Sequence, residues 1–227
     1  MIRNIFDIPR ELKNNGNFPF WYSLLIESEF VVDYKNVRNV IDFGSGNGGF
    51  ANLVSHFHKS IEIECIEINS ELLINCKKRN LVSNIRYGNY IDMKNMKRDF
   101  FDIIFSQEVV YTISDLEKHA NEMFSLLAKG GSYIFTIGCH LGNPTWPYRK
   151  KRINKEESYS SNDYSLEYIA NVFHESGFRV SVKRLPIYSP LVYDPSDSSE
   201  FSSIEDLLLS SEEQKIVFFL LKPKHQD

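Results

Sequence analysis

No apolar run in this sequence reaches the roughly 20 residues of a membrane span. Its opening stretch, MIRNIFDIPRELKNN, has charges where a secretion signal needs an apolar segment. A cytoplasmic protein without a membrane anchor is expected. Cysteine is scarce: Cys65, Cys76 and Cys139 form no C-x-x-C pair and no Cys/His group with zinc-ligand spacing. They read as buried thiols. His56 and His58 are two apart and point to different sides of the helix expected there, so no metal site is expected. Positive charge is not in surplus either, since 26 Lys and Arg face 30 Asp and Glu, for a net charge of -4. Coating nucleic acid or an anionic membrane requires clustered cations, and the one basic cluster, YRKKR at 148–152, is local. Neither a nucleic-acid nor a membrane partner is expected.

What is present is enough for one core. A chain of 227 residues with 42% hydrophobic and 14% aromatic content reads as a single domain, 1–227. Short β-branched runs alternate with amphipathic stretches, the pattern of a mostly parallel sheet with helices on both faces. Strands are expected at 39–43, 61–68, 84–88, 101–106, 132–138, 177–185 and 215–223, and helices at 49–59, 70–80, 115–131 and 165–176. The third helix is expected to stop at Gly130 and Gly131. Three stretches stand outside this alternation: residues 1–35, read as an N-terminal helical lid with an aromatic helix at 17–34, and the insertions 140–163 and 186–211, read as facing the substrate.

The segment VIDFGSGNGGF at 40–50 runs from a strand into a loop of four glycines. Its spacing fits both the G-x-G-x-x-G of a dinucleotide site and a D-x-G-x-G-x-G pattern. Asp42 separates the two. Beside a pyrophosphate its charge would cost on the order of a few kcal/mol, whereas beside an ammonium or a sulfonium it is favourable. Glu67 ends the next strand, 23 residues after Gly44. There it can accept both hydroxyls of a ribose. Asn89 and Tyr90 end the third strand, where they can meet an adenine edge and face, although Asn89 can equally cap the following turn.

At these residues the chain resembles the class I S-adenosylmethionine-dependent methyltransferases, over about Asn36 to Gly138 and more weakly to the last strand. VIDFGSGNGGF resembles the family's first motif, CIEINSELL its second, YGNYIDM its third, FDIIFSQEVVYTISD its fourth-strand segment and LLAKGGSYIFT the lead into its fifth strand. The resemblance implies a Rossmann-like seven-stranded sheet of order 3-2-1-4-5-7-6 with the last strand antiparallel. It implies S-adenosylmethionine as cofactor, bound by Asp42, Gly44, Ser45, Gly46, Glu67, Ile68, Asn89, Tyr90 and Gln107, with Asp42 helping to place the methionine end, Glu67 the ribose, Asn89 and Tyr90 the adenine, and Gln107 lining the reacting end.

The fourth strand is followed by SQEV and not by [DN]-P-P-[YF], and no Pro-Cys nucleophile is present. A nucleic-acid acceptor is therefore disfavoured. FSQEVVYTISD is most similar to small-molecule methyltransferases of glycine-type and phosphoethanolamine-type amines, with Thr112 where a histidine commonly stands. His140, expected at the crevice rim, is the first candidate base, and Tyr111 the second. Trp21, Tyr22, Trp146 and Tyr148 read as lid aromatics, and Arg149 and Arg152 as partners for a carboxylate or phosphate. The expectation is methyl transfer to a small, anionic metabolite, nitrogen favoured over oxygen, by a monomer or homodimer. The rivals are an RNA- or protein-directed methyltransferase and a non-catalytic S-adenosylmethionine-binding domain.

Overall fold

Alternation at period two decides which way each strand faces. In β1 (Asn39–Phe43), Ile41 and Phe43 enter one core and Val40 the opposite one; in β4 (Phe101–Gln107), Ile104 goes to the first and Ile103 and Phe105 to the second. The structure, a computed structural model, describes residue 8 and residues 15–156, 159–195 and 201–224. Residues 1–7 and 9–14 of the expected lid, 157–158 of the first insertion and 196–200 of the second lie outside the described residues.

The remaining strands are β2 (Glu62–Glu67), β3 (Ile85–Asn89), β5 (Leu127–Ile137), β6 (Arg179–Arg184) and β7 (Ile216–Leu221). They join β1 and β4 in one seven-stranded sheet of order β3-β2-β1-β4-β5-β7-β6, as the family resemblance implies. β7 alone runs antiparallel, paired to β5 and β6. Its beginning therefore meets the carboxyl ends of the parallel strands.

One face is covered by α1 (Phe18–Ser28) and α2 (Gly49–Phe57), which contribute Phe18, Leu24, Leu25, Phe50 and Leu53 to the core. The other is covered by α4 (Leu116–Leu126) and α6 (Leu166–Glu175), whose Met123, Leu126, Ile169 and Phe173 pack on Phe135 and Phe218 of the sheet. Each such side chain contributes about 1.5–3 kcal/mol when fully buried. Starts are chemically marked. Asn69 caps α3 (Ser70–Arg79) by accepting from the Glu71 and Leu72 N–H groups, and Asp115 and Ser165 do the same for α4 and α6. The insertions carry α5 (Trp146–Glu156) and α7 (Ile204–Leu208).

The expected glycine stop of the third helix is corrected. α4 ends at Leu126, and Leu127 already leaves in an extended conformation, paired to Phe101. Gly130 and Gly131 instead form an irregularity inside β5. Gly130 has φ +84, and a Cβ on Gly131 would come within about 3 Å of the carbonyls of Phe101, Asp102 and Ala128. The Lys222 ammonium takes over the stop by donating to the carbonyls of Phe124 and Leu127.

Candidate active site

The carboxyl ends of β1 and β4, the start of β7 and the helix α1 enclose a cavity of about 250 Å³. Its walls include Asp42 from β1, Gly44, Ser45 and Gly46 from the loop, Gln107 at the end of β4 and Glu108 just past it, Thr136 from β5, Lys215 from the start of β7, and Phe20 and Trp21 from α1. The loop's later glycines are needed for close approach. Gly48, at φ +73, leaves the place of its Cβ to the Tyr87 hydroxyl, and Gly49 leaves its own to the Trp21 ring. Trp21 thus lies across the first turn of α2 and also lines the cavity.

Asp42 is buried, and among the described residues its Oδ2 has no hydrogen-bond partner. Burial pushes its carboxyl up to about 7, with the Ala51 N–H opposing and the charge of Glu67 adding to the rise. An unpartnered carboxylate oxygen on the wall of a cavity is incomplete without a donor. The cationic amino-acid end of S-adenosylmethionine supplies one, so the residues fit the cofactor. Glu67 is also buried. Its Oε2 accepts from the Gly46 N–H at 2.8 Å and its Oε1 from the Asn69 N–H at 2.9 Å. These bonds fix the carboxylate beside the loop, and each oxygen keeps lone-pair capacity for a ribose hydroxyl.

The other end of the cavity was not legible in the sequence. Glu108 has φ +54, a strained conformation for a residue other than glycine. Its Oε2 accepts from the Gly138 N–H at 3.1 Å, and its Oε1 lies 3.1 Å from Lys215 Nζ. Burial would raise its carboxyl, but Lys215, Arg149 and the Gly138 N–H outweigh burial and hold it below the usual carboxylate range. The Lys215 side chain is 7% exposed and its Nζ stands 4.3 Å from the centre of the Phe20 ring. An acid one position past the end of β4 was a usable signal, of the kind that marks Asp42 and Glu67. Lys215 had none, because only the antiparallel course of β7 brings its first residues to this edge.

The expected site residues divide. Asp42, Gly44, Ser45, Gly46, Gln107 and Trp21 line the cavity together. Glu67 and Asn89 end β2 and β3, with Ile68 and Tyr90 next in the chain, and none of the four lines the cavity; Ile68 and Tyr90 are exposed, and Asn89 caps the turn after β3 by accepting from the Ile91 N–H. His140 is not at the rim. It is buried, and its Nε2 donates to the Gln214 carbonyl at 3.0 Å. Tyr111 is buried edge-on against Trp146, and burial raises its phenol far above the ordinary value. Tyr22 and Trp146 are core residues and not lid aromatics: Tyr22 stacks on Phe18, and Trp146 donates to Asp163 from inside the core. Their bulk is better satisfied by apolar neighbours than by solvent. Tyr148 is exposed on α5 and Arg152 half-buried on the same helix, both away from the cavity wall. Arg149 is buried behind it, with Nη1 3.4 Å from Ser210 Oγ.

Residues 35–179 match the family model described as a methyltransferase domain. Solved structures agree in fold across nearly the whole chain. A chain of the Haloferax volcanii complex formed with the Trm112 methyltransferase activator is 14% identical, with a TM-score of 0.76 over 96% of this chain and 94% of that one. An S-adenosylmethionine-dependent methyltransferase from Mesorhizobium loti is 14% identical, with a TM-score of 0.65 over 92% and 99%. Phosphoethanolamine N-methyltransferase 2 from Haemonchus contortus, solved with S-adenosyl-L-methionine, is 16% identical, with a TM-score of 0.65 over 93% of this chain and 58% of that one. No curated protein matches the sequence. With the family model covering well over half of its length, the chain belongs to the methyltransferase domain family and has the class I S-adenosylmethionine-dependent fold.

Proposed function

We propose that the chain transfers a methyl group to a small, anionic metabolite, at nitrogen in preference to oxygen. S-adenosylmethionine supplies a methyl carbon already activated by its sulfonium, so the protein mainly has to hold, align and dehydrate the reactants. Asp42, Gly44, Ser45 and Gly46 would hold the methionine end, Glu67 and Ile68 the ribose, Asn89 and Tyr90 the adenine. Gln107 would border the reacting end, with Trp21 on α1 closing the cavity as part of a lid. A cytoplasmic location goes with this reading, on the three buried, unpaired thiols and an ordinary acidic surface. Among the described residues no helix is long and apolar enough to cross a membrane.

One observation carries the preference for nitrogen. The described residues that line the cavity include no imidazole, thiol or phenol. Of the two acids on the wall, Glu108 is held ionised by Lys215 and is a weak base, and Asp42, raised to about 7, is taken up on this reading by the ammonium of the cofactor. A hydroxyl acceptor needs a base in the transition state, whereas an amine reacts as the free base. The test is His140→Gln, which keeps a donor for the Gln214 carbonyl, assayed with the acceptor that takes label from the cofactor in a small-molecule extract. Activity close to that of the wild type is expected. A loss of about a hundredfold or more, the range for a missing general base, would overturn the nitrogen reading, as would a product whose NMR spectrum shows an O-methyl group.

A second reading is favoured by the Haloferax fold match, whose complex contains an activator protein. On that reading the chain needs a protein partner to work. Methyl transfer by the purified chain alone tells against it.

A further inference from the structure

We propose that Glu108 and Lys215 form the acceptor subsite, and that it selects an amine which carries its own anionic group, a carboxylate or a phosphate ester. The inference rests on the methyl-transfer reading and adds to it the class of acceptor and the residues that choose it.

Charge changes sign along the edge of the sheet. Glu67 on β2, Asp42 on β1 and Glu108 just past β4 are acids, and Lys215, at the start of β7 two strands beyond β4, is a cation. The cofactor's residues occupy the β2 and β1 end, which leaves the β4 to β7 end of the same cavity for the acceptor. There the wall presents one carboxylate and one ammonium 3.1 Å apart. A structural ion pair alone would need neither feature that accompanies this one. Glu108 sits at φ +54, where the backbone is strained, and strain of this sort persists at sites that hold ligands. The Lys215 ammonium has three N–H groups, and among the described residues Glu108 is its one carboxylate partner and Phe20 the one ring it faces.

Further positive charge converges on the same point. Lys215 Nζ and Arg149 Nη1 both lie 3.5 Å from where a Cβ on Gly138 would stand. A Cβ there would stand in ordinary van der Waals contact with both. Arg149 makes other contacts, including Ser210, and the proposal uses only its charge. The Lys215 ammonium, with Glu108 on one side and three N–H groups to place, has capacity for a second anion. An acceptor whose amine faces Glu108 and whose anion faces Lys215 meets both requirements. It also places the anion at the end of the cavity away from Asp42.

The test is calorimetry on the full chain saturated with S-adenosylhomocysteine, using three probes that share a primary amine: O-phosphoethanolamine, β-alanine and n-propylamine. One or both anionic probes should bind about tenfold or more tightly than n-propylamine, the range for a hydrogen bond to a charged group. Preference for O-phosphoethanolamine or for β-alanine tells phosphate from carboxylate. Lys215→Met should erase the advantage and Lys215→Arg should keep it, with S-adenosylhomocysteine affinity unchanged in both. Equal affinity of the wild type for all three probes, or no measurable binding of either anionic one, overturns the subsite without any variant. So does a Lys215→Met protein that retains the preference. Failure of S-adenosylhomocysteine itself to bind would instead overturn the methyl-transfer reading.

Discussion

Asp42 holds the most consequential proton in the cavity. Its carboxyl stands near 7 because burial penalises the charge, and the Ala51 N–H recovers only part of the loss. A folded-state value above the unfolded one, about 3.9, means that this residue adds stability at low pH and that the contribution is lost as pH rises through about 7. At most it amounts to about 4 kcal/mol for a shift of this size. A ligand ammonium at Oδ2 reverses the preference, since it favours the ionised form. Binding of S-adenosylhomocysteine at pH 6 should therefore release close to one proton, measured as the dependence of calorimetric heat on the ionisation enthalpy of the buffer. Asp42→Asn should remove that dependence and weaken binding by about 1.5–3 kcal/mol. If the heat is independent of buffer in the wild type, Asp42 does not contact the ammonium. Asp42 and Glu67 were legible in the sequence because an acid at a strand end beside a glycine turn has few structural uses. The burial of His140, Tyr111 and Trp146 was not, because the insertion that covers them packs through contacts distant in sequence, such as Asn162 N–H to the Tyr111 carbonyl.

At the scale of elements, α1 is fastened by its far end. Glu27 is buried on α1, and its two oxygens accept from Lys183 Nζ at 2.6 Å and the Tyr188 hydroxyl at 2.5 Å. That bond to the Glu27 carboxylate, with burial next, holds the Tyr188 phenol up at about 12. The Tyr188 N–H adds a bond to Ser23 Oγ. Phe20 and Trp21, which wall the cavity, ride on the same helix, so the fastening sets how firmly the cavity is closed. Tyr188→Phe removes one hydrogen bond to a charged group, about 1.5–3 kcal/mol. Amide exchange across 18–28 should quicken while exchange in β1 and α2 stays the same, and S-adenosylhomocysteine should leave faster. Unchanged exchange in α1 would show that the helix is held by its apolar face alone. All seven strands could be read from their β-branched runs, to within a few residues at most ends. The exception is β5, which begins five residues before the expected 132, because LAKGG looks like a helix stop when the carbonyls that crowd Gly131 are out of view. α5 was missed for a related reason. Its first turn carries Pro147 and its sequence is strongly polar, yet a proline in a first turn is compatible with a helix.

For the molecule as a whole, the two cores meet across β1, and the glycine loop is the direct continuation of that strand. A ligand held by the loop is thereby linked to the cooperative unfolding of both halves. The free edge at β6 bears the exposed charges of Arg179, Lys183 and Arg184, which discourage pairing with a second sheet. The chain should respond to ligand as a single cooperative unit. A ligand selective for the native state at about a hundred times its dissociation constant stabilises it by about 2.7 kcal/mol. For a domain of this size each kcal/mol raises Tm by about 2–4 °C. S-adenosylmethionine or S-adenosylhomocysteine should accordingly raise Tm by about 5–10 °C in one two-state transition. NAD should leave it unmoved, although its glycine fingerprint is also satisfied by Gly44, Gly46 and Gly49. The difference comes from Asp42, which has an unpartnered oxygen, lines the cavity and, ionised above about pH 7, would oppose a pyrophosphate at the loop. A rise in Tm with NAD and none with either sulfur ligand would reverse the assignment of the loop.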